Sequence, residues 1–416
     1  MTRTVVIIGA GVIGVSTALR LQEELAGKGD QVVLLDRKGV AAETSQGNAG
    51  AFAFTDVEPL AHPGIMKQAP GWLVDPLGPL SIPPSYAVKL VPWLLRFWRA
   101  SLPDRYRASI VSQAALMKHC EEATERQIAR TDGEHLIQRL GALRLYDSEA
   151  AFRASKHSWD LRDEYGIDYT LLHGPDEIAE IQPGLSRHFT HGGFTPGWHS
   201  TIDPKAWVEH LFAAFLQRGG RFEQAEVRDI AASDDEVVLK TADTTLRADQ
   251  VVVAAGAWSH HLTKRLGDPL PLETERGYNT TLPPGAFDLR TSLSFGKHGF
   301  VVSPIKGGVR VGGAVELGGL ELPPNYKRAD NLLAKASRFM PGLDISGGTQ
   351  WMGYRPSMPD SLPVISQSRR HKNVVYAFGH GHVGLTQSAG TAELAVDLLQ
   401  GRKSLIDMAP YRADRF

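Results

Sequence analysis

The sequence predicts an α/β chain that opens on a parallel sheet and folds as two interleaved domains, and three observations carry that expectation. Residues 5–8 are a β-branched run, residues 11–25 have helical spacing and residues 31–36 form a second β run, so strand, helix and strand follow within about thirty residues. From about residue 59 to 103 the composition turns to Pro, Gly and large apolar side chains, among them Trp72, Pro83, Pro84, Trp93 and Trp98, which interrupts the alternating pattern. Near the C-terminus a strand over residues 374–378 and a helix over residues 384–399 resume it.

Between these points each stretch reads in turn. A polar helix is expected over 105–130, then mixed segments to about 196, then an amphipathic helix over 203–218 that Asp203 is placed to cap. Val227, Val237 to Leu239, Leu246 and Val251 to Val253 are short runs broken by Asp-rich turns, which predicts a β-meander returning to the main sheet. A second insertion, about 271–350, carries strand-like runs at 299–304 and 309–315. The expected division is therefore 1–58, 200–270 and 351–416 for one domain, with 59–199 and 271–350 for the other.

Composition narrows the function classes. With 45 Lys plus Arg against 46 Asp plus Glu, the formal net charge is −1, so no overall field favours nucleic acid. The single cysteine, Cys120, rules out an intrachain disulfide and a cysteine-rich metal site. At 416 residues and 42% hydrophobic content the chain can bury a large cofactor. No apolar run reaches the roughly 18 to 20 residues of a spanning helix, and the first strand begins without a signal-peptide pattern, so a cytoplasmic location is expected. Residues 86–102 place Trp93, Leu94, Leu95, Phe97 and Trp98 beside Lys89, Arg96 and Arg99. They read either as a packing helix over the substrate site or as an interfacial helix at a membrane's inner face, with Pro92 weakening the second reading.

The chemistry begins at Gly9-x-Gly11-x-x-Gly14, with Val12 and Ile13 between the glycines. Bare backbone here lets a pyrophosphate approach the helix N-terminus and its unpaired N–H groups. Asp36, about 22 residues after Gly14, is placed to accept both hydroxyls of an adenosine ribose and to repel a 2′-phosphate. These features suit FAD and NAD equally. The following loop, Glu43-Thr44-Ser45-Gln46-Gly47-Asn48-Ala49-Gly50, offers hydroxyl, amide and glycine groups that can meet phosphate and a flat ring; an ordinary polar turn is the alternative.

Several separated blocks, in order, match one family: the N-terminal glycines with Asp36-Arg37, the Thr44-Ser45-x-x-Asn48-Ala49-Gly50 loop and residues 251–259 (Val-Val-Val-Ala-Ala-Gly-Ala-Trp-Ser). Gly353-Tyr354-Arg355-Pro356 with Pro359-Asp360, and Gly379-His380-Gly381-His382-x-Gly384, complete the set. Over nearly its whole length the chain resembles the FAD-dependent D-amino acid oxidase superfamily, most closely its bacterial D-amino acid dehydrogenase small-subunit-like branch.

The resemblance implies a Rossmann-like FAD-binding domain interleaved with a smaller substrate domain built on an antiparallel sheet. It implies that Thr44, Ser45, Asn48, Ala49 and Gly50 line pyrophosphate and flavin, that Val227 pairs its backbone with adenine, and that Ala255, Gly256 and Trp258 border the cofactor. Gly381, His382, Val383, Gly384, Leu385 and Thr386, where the last helix starts, are placed to offer N–H groups to the charge that reduction leaves on the flavin. Cys120 lies outside every matched block, so noncovalent FAD is expected.

Arg355 is the expected clamp for a substrate carboxylate, because a guanidinium fork matches that group with two parallel bonds. Arg276 is another candidate for the clamp, and Tyr278 can offer a phenol to the substrate. Where several relatives place a tyrosine, this chain has Phe300. His380 and His382 stand at i and i+2, but no ligand set completes a metal site around them.

The implied reaction is hydride transfer from the α-carbon of a D-amino acid to flavin N5, giving an imine that water converts to a 2-oxo acid and ammonia, with oxygen or a quinone as final acceptor. Oxidation of a cyclic imino acid such as D-proline or hydroxy-D-proline, or of a sarcosine- or glycine-like amine, is the alternative. A flavin-binding assembly partner and an NAD-dependent dehydrogenase are the readings from other classes.

Overall fold

The computed structural model describes residues 3–75, 78–306 and 308–416. Strand β1 (Thr4–Ile8), helix α1 (Val12–Leu25) and strand β2 (Gln31–Asp36) open the chain as expected. It then leaves through α2 (Ile65–Val74), α3 (Pro84–Ala100), α4 (Pro103–Thr131) and strands β3 (Ala142–Tyr146), β4 (Thr170–His173) and β5 (His191–Thr195). It returns with α5 (Pro204–Gln217), β6 (Arg221–Gln224), a three-stranded antiparallel meander over 229–248 and β7 (Gln250–Val253). A second excursion comprises β8 (Glu273–Leu282), β9 (Ser292–Phe295), β10 (Phe300–Ile305), β11 (Gly308–Leu317), α6 (Lys327–Phe339) and β12 (Thr349–Ser357). Strands β13 (Val364–Gln367) and β14 (Val374–Phe378) and helix α7 (Gly384–Leu399) close it.

The first sheet runs β6-β2-β1-β7-β14-β13, parallel throughout except for β13. Its strands read as unbroken apolar runs because both faces are covered. Alternate residues point opposite ways. Val5, Ile7, Val32, Leu34, Val252 and Val375 pack with α1, α5 and α7, whereas Val6, Ile8, Val33, Leu35, Val251, Val253 and Tyr376 pack with the meander. Each such side chain, fully buried, stabilises the fold by about 1.5 to 3 kcal/mol. Helix α5 starts where Asp203 accepts the N–H groups of Lys205 and Ala206, the capping its sequence predicts.

The second sheet runs β12-β8-β11-β10-β9-β3-β5-β4, antiparallel except where β9 meets β3, with the short strand Leu80–Ser81 added in parallel beside β11. Two sequence expectations are corrected here. The break expected at residue 350 falls inside β12, so residues 351–357 belong to this sheet. Helix α4, expected in the substrate domain, packs on the dinucleotide domain instead: its Leu116, Cys120 and Ile128 join the α1–α7 core, and a Cβ on Gly390 of α7 would stand 2.4 Å from Cys120 Sγ. The buried stripe of α4 was masked by a predominantly polar sequence.

Candidate active site

One cavity of about 1020 Å³ runs from the C-terminal end of the parallel sheet across to the antiparallel sheet. At its first end, glycines make room for backbone. Gly9 has φ +108, and a Cβ on it would stand 2.4 Å from the Ala254 carbonyl oxygen; one on Gly14 would stand 1.8 Å from the Gly9 oxygen, so strand and helix meet only because both side chains are absent. Gly9, Gly11, Val12 and Ile13 line the cavity, while Gly14 serves the packing behind it. The Val12 N–H donates to Ser45 Oγ at 2.9 Å, which brings the polar loop to the start of α1.

Asp36 lines the cavity at the end of β2, with Oδ2 accepting the Ala10 N–H at 2.9 Å and Oδ1 accepting those of Lys38 and Gly39. These bonds fix the carboxylate and leave further lone pairs for ribose hydroxyls. The Arg37 guanidinium lies 3.9 Å from the centroid of a Trp258 ring, and Val227, Ala255 and Gly256 line the wall near them.

The loop after β2 is held by both domains. Thr44 Oγ1 donates to the Tyr354 carbonyl at 2.7 Å, and Asn48 closes its own turn, donating to the Ser45 carbonyl and accepting the Gly50 N–H. Across the cavity Asn279 donates to the Gly47 carbonyl at 2.7 Å and Arg310 to the Asn48 carbonyl at 2.5 Å. The Trp351 ring covers Gly47 so closely that a Cβ there would stand 2.2 Å from it. Ala49 lines the cavity, and Gly50, at φ +73, turns away to receive the Thr201 N–H. Asn279, Arg310 and Trp351 are residues that the sequence did not single out; they meet the loop only through strand register.

At the start of α7, residues 381–386 line the cavity, and no side chain caps the helix, which leaves its first N–H groups without a side-chain acceptor. Thr386 Oγ1 accepts the Ala53 N–H and donates to the Ala51 carbonyl, tying this end to the loop. His380 is buried against Thr391 Oγ1 at 2.9 Å, and burial pushes its pKa down to about 3. His382 is exposed within the cavity, its Nε2 3.3 Å from Glu275 Oε2, and desolvation with the Arg355 charge pushes its pKa down. The one possible metal-ligand grouping among the described residues, Asp147 with His188 and His298, stands apart from these rings, and Lys297 Nζ already lies 2.9 Å from Asp147.

At the far end the two candidate arginines separate. Arg276 is fully buried and bonded to the carbonyls of Gly319, Leu322 and Pro323 and to Glu316, which leaves it no part in a ligand clamp. Tyr278 lines the cavity, and its hydroxyl donates to Glu316 at 3.2 Å and accepts the Asn325 N–H at 3.0 Å, which ties the phenol to the network around Arg276. The Phe300 ring stacks on Phe295 at 4.4 Å in the core of the second sheet.

Arg355 lies across Gly277, where a Cβ would stand 2.2 Å from its Nη2, and donates a single bond, to the Ala314 carbonyl at 2.9 Å. Ala314 holds a left-handed backbone, φ 57, and β11 is bulged against β8, with Ala314 and Val315 opposite Gly277 alone, so the carbonyl is aimed by a local irregularity. Among the described residues Arg355 makes no ion pair and no second hydrogen bond, and it lines the cavity.

A family model described as FAD dependent oxidoreductase matches residues 4–398. The chain is 36% identical over its whole length to a D-amino-acid oxidase of Bradyrhizobium diazoefficiens, with 99% of that protein covered. It is 30% identical to a D-amino acid dehydrogenase of Neisseria meningitidis, with 97% of each chain covered. The structure is similar to that of glycine oxidase from Geobacillus kaustophilus, with a TM-score of 0.78 at 21% identity and 100% of both chains covered. The chain belongs to the FAD-dependent oxidoreductase family. Its residues fit that cofactor: the cavity is continuous from Asp36 to Arg355, and the uncapped start of α7 lines it between them.

Proposed function

We propose that this family member oxidises a small D-amino acid at its α-carbon, releasing an imino acid that water converts to a 2-oxo acid and ammonia, with its FAD held noncovalently. The observation that carries the reading is Arg355: a cavity-lining guanidinium, fixed by one carbonyl and laid over a glycine, with no carboxylate of the protein paired to it. A substrate carboxylate supplies the missing partner through two charge-assisted bonds. The D configuration follows relatives at 30% identity or more that are named for D-amino acids.

Bound FAD supplies an acceptor for the hydride and its two electrons. The protein contributes alignment and shielding. Arg355 fixes the substrate by its carboxylate and so sets where the α-carbon lies. Met66, Trp72, Trp93 and Phe97, from α2 and α3, form an apolar wall of the same cavity that excludes water and receives the side chain. The N–H groups that start α7 are placed to stabilise the negative charge of the reduced cofactor. Cys120 supports noncovalent binding, since it is buried between α4 and α7 and does not line the cavity. The test is anaerobic addition of D- and L-amino acids and cyclic imino acids while the flavin band near about 450 nm is followed. Bleaching by D-amino acids is expected; bleaching only by another class would replace the substrate assignment.

The acceptor side rests on α3. No helix among the described residues is long and apolar enough to cross a membrane. Helix α3 nevertheless has apolar residues on two faces: Leu90, Trp93 and Phe97 are buried, while Val88, Val91, Leu95 and Trp98 are exposed at helical spacing beside Lys89, Arg96 and Arg99. Basic residues without an acidic one on the helix suit an anionic bilayer. We read α3 as a peripheral contact with such a surface, which brings the apolar wall of the cavity near a lipid-soluble quinone. Co-sedimentation with anionic vesicles is expected, and its loss in Leu95→Asp with Trp98→Asp; a concentration-dependent dimer without vesicle binding would assign the face to a second copy.

A further inference from the structure

The cavity that holds Arg355 also holds an acid. Glu275 is only 2% exposed, lines the cavity, and its Oε2 has no hydrogen-bond partner. It is the register partner of Arg355 across β8 and β12, so the two side chains leave the same face of the sheet with Cβ atoms roughly 5 Å apart. They are not ion-paired, although each feels the other's charge. A buried carboxylate that makes no bond with one of its oxygens is expensive unless a ligand completes it.

A cation and an anion held side by side, neither paired with the other, match a ligand that carries both charges on one carbon. We propose that Glu275 is the ammonium subsite for the amino acid whose carboxylate Arg355 binds, and that it takes the proton the amine must lose before oxidation. The inference rests on the amino-acid reading above and deepens it.

In the proton step, one N–H bond of the substrate ammonium breaks, its electron pair stays on nitrogen, and the proton joins a Glu275 oxygen. The freed pair then forms the C=N bond as the α-hydrogen departs with its two electrons to the FAD, the acceptor the family supplies. Charge and electrons balance, and the imino acid leaves with one proton fewer on nitrogen than the amino acid brought.

The surroundings suit this role. Burial raises the Glu275 pKa above the usual carboxylate range, while Arg355 and the neighbouring Ser357 pull it back. When a substrate carboxylate neutralises Arg355, that restraint weakens, so Glu275 becomes a better proton acceptor once the ligand is in place. The other titratable groups facing it are His382, whose Nε2 lies 3.3 Å from Oε2 without hydrogen-bond alignment, and Glu273, which is bonded to Tyr86. Desolvation and the Arg355 charge push the His382 pKa down, which favours the neutral ring beside the carboxylate.

The test uses the FAD-loaded enzyme and two ligands: a reducing D-amino acid, and propionate, which has the carboxylate without the amine. Binding is read from perturbation of the flavin spectrum and from rapid-mixing flavin reduction. In Glu275→Gln the apparent affinity for the amino acid should fall at least about tenfold, whereas propionate should bind as tightly or more tightly, because a charge that opposed it has gone. The acid limb in the pH dependence of flavin reduction should also move to higher pH, because without Glu275 the amine must lose its proton to solvent at its own, higher pKa. Parallel loss of both ligands, or an unchanged acid limb, would overturn the assignment and leave Glu275 a structural acid. If the Gln variant fails to retain FAD, Glu275→Asp keeps the charge but withdraws it by one methylene, and the same opposed response of the two ligands is expected in smaller measure. Failure of every amino acid to reduce the wild-type enzyme would instead refute the substrate reading, a result distinct from any effect of Glu275.

Discussion

At the Gly9 end of the cavity the chain presents backbone, with Cβ atoms missing where a helix start must meet a strand, and a carboxylate fixed by three N–H groups. At the Arg355 end it presents side chains whose roles are decided by what lies beside them. Arg276 and Arg355 belong to adjacent strands, pair with neighbouring residues and share a residue type, yet one is locked into four structural partners and the other holds one. The Gly9 end is built from local geometry, and the Arg355 end from register and a bulge.

That contrast is broken most forcefully by removing the locked arginine. Arg276→Ala leaves Glu316 buried without its cation and strips bonds from three carbonyls. A loss of about 3 to 5 kcal/mol in unfolding free energy is expected, seen as a lower denaturation midpoint with FAD present. Arg355→Ala should leave that midpoint nearly unchanged and retain FAD. Its effect should fall on substrate, with a loss of about 2 to 5 kcal/mol, which is roughly 30-fold to several thousand-fold in KM. Equal effects of the two variants on stability would erase the distinction.

Gly277→Ala sharpens it. The new Cβ would meet the Arg355 guanidinium, the movable end of a flexible side chain, so the clamp should shift while the sheet survives. KM should rise roughly ten- to hundred-fold with the flavin spectrum intact; unchanged kinetics would mean that the position of the guanidinium over Gly277 is immaterial.

The smallest effect is expected from pH. His380 has a folded pKa of about 3 against an ordinary 6.5, so between these values the unfolded chain binds the extra proton. Its contribution is complete above about 6.5 and is lost as pH falls toward 3, with a slope of at most about 1.4 kcal/mol per pH unit. Urea midpoints at pH 7 and pH 5 should differ less in His380→Asn than in the wild type.

Much of the cofactor end was legible in the chain because its signals are short and local. Gly9, Gly11 and Gly14 sit between strand and helix, and Asp36 closes the next strand, in an order that admits few other folds. Arg355 was found through a matched block rather than through any property of its neighbours. The partners of Tyr278 were not legible in the same way, since nothing near it in sequence announces Glu316 or the Asn325 N–H. Asn279, Arg310 and Trp351 went unremarked because the loop they hold lies more than two hundred residues away along the chain.

By itself, then, the sequence determined the order of elements, the family, and the bare glycine backbone between the first strand and helix, all of which follow from propensity, glycine placement and spacing within a few turns. Tertiary structure alone decided which arginine faces the cavity, that α4 packs on the first domain, and that Glu275 stands beside Arg355 without pairing to it. The physical reason is that burial and charge balance depend on neighbours brought together by sheet register, and register is a property of strands far apart in the chain.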